Sequence, residues 1–273
     1  MTEREPGQPS GESALYVFAV CEAPEPAAFA GLPGMATGEP LRLLRCGDLT
    51  AIVQTVRAAD FTDEVWQARM ADRSELERYA RAHHEVVSAV AASCPTVPLP
   101  LATLYHGEAR ARQSLLDESD RFRAALERTA GHAEWGVKVY VAEPAPAGPD
   151  PAAPLRPDGA APRTRPAPGA GLAYLERKRG VRARREQRHE DSLRVAEAVD
   201  AGFRDLAAAD RRLRVHAPVP GEKGRVQVLN ATYLVAEHRK ADLEALARAL
   251  RDATGARIEI SGPWVPYSFV GGA

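Results

Sequence analysis

Arg257-Ile-Glu-Ile-Ser-Gly-Pro-Trp-Val-Pro-Tyr-Ser-Phe-Val270 begins as an alternating strand and then turns into a stiff, aromatic-rich arm. Pro263 and Pro266 each fix a backbone dihedral and remove an amide donor, so the segment after Ile260 is not expected to continue as a central strand. Trp264, Tyr267 and Phe269 ride on that arm. Its unfolded state is already restricted, which lowers the cost of holding large apolar surface in place. Such surface must rest on something. Pro263, Trp264, Pro266, Tyr267 and Phe269 are therefore candidate partner-contact or tail-packing residues. They cover the second domain's core or the gap between domains, or they meet a partner protein, and the two roles are compatible.

Working back from the arm, Leu243, Leu246, Ala247 and Leu250 recur at helical spacing, and the helix they predict ends at Gly255. Before it, Leu213 to Ala217 and Arg225 to Ala236 flank Pro218-Val-Pro-Gly-Glu-Lys-Gly224 as a hairpin with a long turn. The second of these strands is apolar on both sides, hence central. Leu172 to about Ala209 reads as a long helix with its clearest apolar face at Leu193, Ala196, Val199, Phe203 and Leu206, and Gly180 is a point where it can break.

The N-terminal half repeats part of this order. Ala14 to Val20 is a buried strand, and Leu41 to Leu44 with Leu49 to Val56 form a hairpin across Cys46-Gly-Asp48. Asp72 and Glu75 have capping-box spacing ahead of a helix whose apolar stripe is Leu76, Tyr79, Ala80, His83, Val87 and Val90. Pro95 stops it. Val97 to Leu101 is extended, and Pro98 and Pro100 suit it to a sheet edge. One helix from about Glu108 carries Leu115, Ser119, Phe122 and Leu126 and ends at Gly131. Trp135, Val137, Val139 and Val141 then alternate in a strand that closes the first domain.

These patterns predict an α+β protein of two domains, each an antiparallel-leaning sheet covered by helices. The expected divisions are a disordered tail over 1–13, an N-terminal domain over 14–143, a Pro/Ala-rich linker over 144–170, and a C-terminal domain with the aromatic tail over 171–273. The linker offers almost no large apolar side chain except Leu155, so it cannot bury enough surface to fold alone.

With 273 residues, 45% of them hydrophobic and 27% charged, the chain has enough apolar material for two modest cores. A formal net charge of -1 gives no global field that would attract nucleic acid or an anionic membrane. Cys21, Cys46 and Cys94 are far apart and odd in number, which argues against a disulfide framework or a zinc site. The first residues lack the apolar core of a signal peptide, and no apolar run is long enough to span a bilayer, so a cytoplasmic protein is expected.

Chemistry-bearing motifs are sparse. His83-His84-Glu85 cannot easily share one metal, because neighbours on a helix diverge by about 100°. His83 falls on the apolar stripe and reads as a satisfied core histidine. No nucleophile elbow, Walker loop or dinucleotide fingerprint occurs, so no catalytic residue, cofactor site or metal site is assigned. The basic run Arg177-Lys-Arg179, Arg182, Arg184, Arg185 and Arg188 is interleaved with Glu176, Glu186, Glu190 and Asp191. It reads as a solvated helix or a docking face for an acidic protein segment in preference to a phosphate grip.

Several stretches resemble the gas vesicle protein F/L family. They are Leu15-Tyr-Val-Phe18 with Leu49-Thr-Ala-Ile-Val53, the helix from Leu76 to Val87 leading into Val97-Pro-Leu99, Glu134-Trp-Gly-Val-Lys-Val-Tyr140, Gly171 to Lys178, and the tail from Ser261 to Val270. The chain departs from the family at Pro100-Leu-Ala102, where an Arg-Phe-Gly-like triplet is frequent, and at Val265, where proline is common. The resemblance implies two α+β domains, partly ferredoxin-like, and no catalysis. It also implies a gas vesicle accessory or minor structural protein that binds the main shell protein, with other accessory proteins as further partners. It would be cytoplasmic and associated with the vesicle, with no nucleic acid or lipid membrane as partner. The rival expectation is a ferredoxin-like small-molecule-binding or enzymatic protein, with His83 and Lys138 lining a pocket.

Overall fold

The computed structural model describes residues 13–142, 170–215 and 224–271, with the backbone alone over 170–177. The expected N-terminal tail and linker lie outside these residues except for Ser13 and Ala170, as does most of the turn expected over 218–224. The chain forms two compact units, neither of them a continuous stretch. One gathers Met1–Trp135, Leu234–Glu237 and Gly262–Ala273; the other gathers Gly136–Tyr233 and His238–Ser261.

The first unit is built on strand β1 (Ser13–Cys21), which is buried along nearly its whole length. It pairs antiparallel with β3 (Leu49–Arg57) on one side, and on the other with the short strands β4 (Thr96–Pro98) and β5 (Leu104–Tyr105). β2 (Leu41–Cys46) completes the hairpin beyond β3, so the order is β2-β3-β1-β4. The turn leaves only Gly47 and Asp48 between paired Cys46 and Leu49, and Gly47 takes φ +67°, which glycine adopts at little cost. As Pro98 requires, β4 lies at the edge.

Both faces of this sheet are covered, and β1 shows how. Leu15, Val17 and Val20 join Leu115, Phe122 and Leu126 in one core, while Tyr16, Phe18, Ala19 and Cys21 join Val86, Val87 and Val90 in another. Phe18 and Ala19 share a face because a bulge interrupts the register with β3 between Val17 and Ala19.

Four helices flank the sheet's strands in sequence. α1 (Asp63–Ala71) precedes α2 (Arg73–Ala91), whose N-terminal amides at Ser74 and Glu75 both donate to the Asp72 carboxylate. Only that half of the expected capping box forms, because Glu75 pairs with Arg78 instead. The buried stripe of α2 is Tyr79, His83, Val86, Val87 and Val90, and Leu76 and Ala80 stay exposed. The single helix expected from Glu108 is two, α3 (Glu108–Asp117) and α4 (Ser119–Thr129), with Glu118 between them at φ -97° and ψ 7°. Leu115 of α3 and Phe122 and Leu126 of α4 enter one core.

The second sheet is antiparallel with order β7-β8-β6-β9. β6 (His132–Ala142), expected to close the first domain, lies here between β8 (Arg225–Ala236) and β9 (Arg257–Trp264). Alternation reveals a strand but not its neighbours. β7 (Ala209–Arg212) ends before the strand expected over Leu213 to Ala217 begins, although the Leu213 amide still donates to the Asn230 carbonyl; His216 and Ala217 lie outside the described residues. β9 runs through Pro263 to Trp264, further than the prolines suggested. It is an edge strand, where a missing amide need not break a ladder.

In the second unit α5 (Ala170–Leu206) continues through Gly180 without a break, and α6 (Lys240–Thr254) ends on Gly255 at φ 66°. Asp200 of α5 is 2% exposed and accepts hydrogen bonds from the Tyr233 hydroxyl and the Arg212 guanidinium, each at 2.6 Å. Burial opposes its charge, but those donors and nearby Arg204 outweigh it and hold the carboxyl below its ordinary range.

Candidate functional site

In the first unit the arm that follows β9 is pinned by two anchors that its own sequence does not display. The Ser268 amide and hydroxyl both donate to the buried Glu134 carboxylate, at 2.8 and 2.6 Å. Arg128, near the end of α4, donates twice to the Phe269 carbonyl, at 3.1 and 2.7 Å. A charged partner strengthens each bond, so the last turn is held at two adjacent residues, Ser268 and Phe269. Gly262 sits at φ +128°, and a Cβ there would lie 2.8 Å from the Glu134 carbonyl oxygen and 3.1 Å from the Trp135 ring. Only glycine fits at this position of β9, two residues before the strand ends.

The five expected site residues do not share one environment. Phe269 is 7% exposed and Pro266 is buried, while neighbouring Val270 joins the core formed with α3 and α4. Half-buried Tyr267 packs with the opposite core, its ring 6.4 Å from His83 and 6.1 Å from His84. Pro263 and Trp264 remain outside. Trp264 is 47% exposed, and its only ring neighbour among the described residues is His84, edge-on at 5.7 Å.

Trp264 and Pro263 line a cleft of about 680 Å³ together with His84 and Ser88 of α2, Cys94 and residues Thr129 to Ala133. The cleft is mixed in polarity. Its thiol, Cys94, is held below the ordinary cysteine range by hydrogen bonding with Cys21, whose own thiol is pushed up by the same bond and by burial. The other bonds of Cys94 go to the Val90 carbonyl and the Thr96 hydroxyl, each at 3.7 Å. His84 Nε2 lies 3.2 Å from the Ser88 hydroxyl. Among the described residues no hydrogen bond joins Cys94 to a histidine. Nor do three His, Cys, Asp or Glu side chains converge in a metal-ligand set among those residues.

His83 does not face this cleft. It is 4% exposed, with Nε2 3.1 Å from the Leu99 carbonyl and Nδ1 2.9 Å from the Tyr16 hydroxyl. A carbonyl only accepts, so Nε2 carries the proton and Tyr16 donates to Nδ1. Tyr16 in turn accepts from the Ala102 amide at 3.1 Å. A neutral imidazole satisfies every member of this chain, and burial lowers its pKa to about 4. Lys138 is an exposed residue of β6 in the second unit, whereas His83 is buried in the first.

Where side chains of α5 are described its basic residues are exposed, with Arg182 paired to Glu186 and Arg194 paired to Glu190 and Asp191. No helix of the described residues is long and apolar enough to cross a membrane.

Known proteins give this architecture a context. The family model described as gas vesicle synthesis protein GvpL/GvpF matches residues 14–271. Gas vesicle protein L of Streptomyces sp. (strain CB03234) is 39% identical over 264 residues, covering 94% of this chain and 92% of that protein. Among solved structures, gas vesicle protein GvpF from Anabaena sp. PCC7120 superposes with a TM-score of 0.62 at 13% identity, covering 96% of this chain and 97% of that one. GvpF from Microcystis aeruginosa gives 0.59 at 14% identity, covering 94% and 99%. Those two likenesses concern the fold. A family match from the first strand to the arm, with a relative aligned over nearly the whole length, places this chain in the GvpL/GvpF family of gas vesicle proteins.

Proposed function

We propose that this protein is a non-catalytic assembly factor that binds the main gas vesicle shell protein and keeps its apolar surface covered until the subunit joins a growing vesicle. It acts in the cytoplasm, at the vesicle. Family membership is a gas vesicle role, and a shell subunit with exposed apolar surface is an aggregation hazard before it is packed. The observation that carries the reading is Trp264, 47% exposed on an arm whose following residues are fixed by Glu134 and Arg128. An aromatic side chain presented on a rigid support loses little freedom on binding, and such residues dominate interface energetics. The cleft beside it supplies a recess for a partner side chain.

The test is co-expression with the shell protein and pull-down through a tag on this chain. Wild type is expected to retain the shell protein, and Trp264→Glu to lose it while keeping its melting temperature. Full retention by Trp264→Glu, or none by wild type, would overturn the proposal.

A further inference from the structure

The second unit carries a cleft lined by its own residues. It measures about 830 Å³ and lies where α5, from Arg185 to Val195, passes the ends of β6 and β8 and the turn between α6 and β9. Half-buried Val141, Val195, Val226 and Val228 line it, and Leu193 stands on its margin at 48% exposure. Arg185 and Arg188 also line it, three residues apart and so on one helix face.

The charges around this cleft are unevenly matched. Asp191, the acidic residue of the lining, is already bonded to Arg194 at 2.8 Å and to Gln187 at 3.2 Å. Glu186 and Glu190, next along the helix, are taken by Arg182 and Arg194. Among the described residues Arg185 and Arg188 form no ion pair, and Arg184, exposed one position earlier, forms none either. An apolar recess with guanidinium groups on its margin, and with its local carboxylates already occupied, complements a segment that is apolar on one side and acidic on the other.

We infer that this cleft is a docking site for an acidic amphipathic segment of a protein partner. Leucine-like side chains of that segment enter among Val141, Val195, Val226 and Val228, and its carboxylates meet Arg185 and Arg188. Arginine suits this role because its planar fork binds a carboxylate through two parallel hydrogen bonds. A nucleic acid fits less well. Its backbone needs a continuous basic track, and here Glu186, Glu190 and Asp191 interrupt the positive face. The inference is independent of the shell-binding proposal, since it uses other residues in the other unit.

The full chain would be titrated, by fluorescence anisotropy, into a labelled helical peptide with leucines on one face and glutamates on the other. A lysine-for-glutamate version and a labelled single-stranded oligonucleotide serve as the other probes. The acidic peptide is expected to bind, more weakly as salt rises, and to lose about tenfold in affinity with Arg185→Gln/Arg188→Gln. Leu193→Ala is expected to weaken it without changing the salt dependence. All three changes are at exposed or marginal positions, and an unchanged circular dichroism melt shows that the fold survives. The inference is overturned if the acidic peptide fails to bind wild type, if the double variant binds it equally, or if the lysine peptide or oligonucleotide binds as tightly. Trp264→Glu is expected to leave this titration unchanged, which keeps the outcome distinct from that of the pull-down.

Discussion

Tyr16 and Tyr233 are both fully buried tyrosines on interior strands, and their hydroxyls are satisfied in opposite ways. Tyr16 donates to a neutral histidine inside a sheet covered on both faces, where no charged group takes part in the chain of bonds. Tyr233 donates to a carboxylate whose charge is balanced by Arg212 on the edge strand β7, a side chain that is largely exposed. The difference follows from access to solvent. A charge can be kept in the second network because its counter-ion reaches water, whereas in the first the cheaper solution is to stay neutral. The two units should therefore respond differently to acid and to loss of a single charge.

Acid gives the largest separation. The unfolded chain protonates His83 near the ordinary value of 6.5, while the folded unit resists protonation until about pH 4. Stability from the neutral imidazole is whole above pH 6.5 and is lost as pH falls toward 4, amounting to about 3 kcal/mol over the window. Asp200 has a lowered pKa, so its contribution persists through that window and is lost only as pH falls through and below the ordinary carboxyl value of 3.8. Hydrogen exchange at pH 7 and pH 5, corrected for intrinsic rates, should show β1 and β3 losing protection more than the Val199 to Phe203 turn of α5. Equal losses in the two regions would dissolve the contrast.

The next effect acts on the second network alone. Arg212→Ala removes the closest counter-charge from a carboxylate that is 2% exposed, leaving Arg204 at 3.7 Å and the Tyr233 hydroxyl. Because those partners remain and the Arg212 side chain is 60% exposed, a loss of about 2 kcal/mol is expected, below the values for broken pairs that are buried on both sides. Urea denaturation followed by exchange in α5 would measure it, and the Tyr16 network should be unaffected. No loss at all would mean that Arg204 alone suffices.

Much of this could be read from the residues. The β2-β3 hairpin, the edge placement dictated by Pro98, and the Gly255 cap each rest on a local rule with one physical solution. What escaped was set by distant neighbours. The alternation of β6 specifies a strand and a buried face, but choosing between two sheets depends on pairing partners far away in the chain. The break at Glu118 reflects two helices fitting one core, and the helical period alone does not display it. Two further signals stand in the sequence. Asp200 sits on the stripe formed by Ala196, Val199, Phe203 and Leu206, and Glu134 stands between Ala133 and Trp135 in an apolar strand. A carboxylate among buried apolar positions must find donors, and these two found Tyr233 with Arg212, and Ser268. For the candidate site, the arm's aromatics were visible but its anchors were not, since Arg128 and Glu134 lie far from it in sequence.

The anchors supply a third, smaller effect. Glu134→Ala removes the carboxylate that accepts two hydrogen bonds from Ser268, and about 1 to 2 kcal/mol should be lost. The loss should be concentrated in faster exchange of the amides from Tyr267 to Val270. If the arm stays protected, Arg128 and the packing of Phe269 and Val270 hold it without help.

Trp264→Ala should cost least, about 0.5 kcal/mol or less, because the side chain is half exposed and touches only the edge of His84 among described rings. That small number sharpens the difference between the two ends of the arm. Phe269→Ala removes a ring from the packed end and should destabilise the first unit by several times as much. Thermal melts of the two variants give the comparison directly. If Trp264→Ala melts as low as Phe269→Ala, the indole supports the fold and its exposure no longer marks it as a contact. If the melt is unchanged while the shell protein is lost in pull-down, stability and binding reside in different residues of one short segment. The anchored residues then serve to fix the position of the tryptophan that the partner meets.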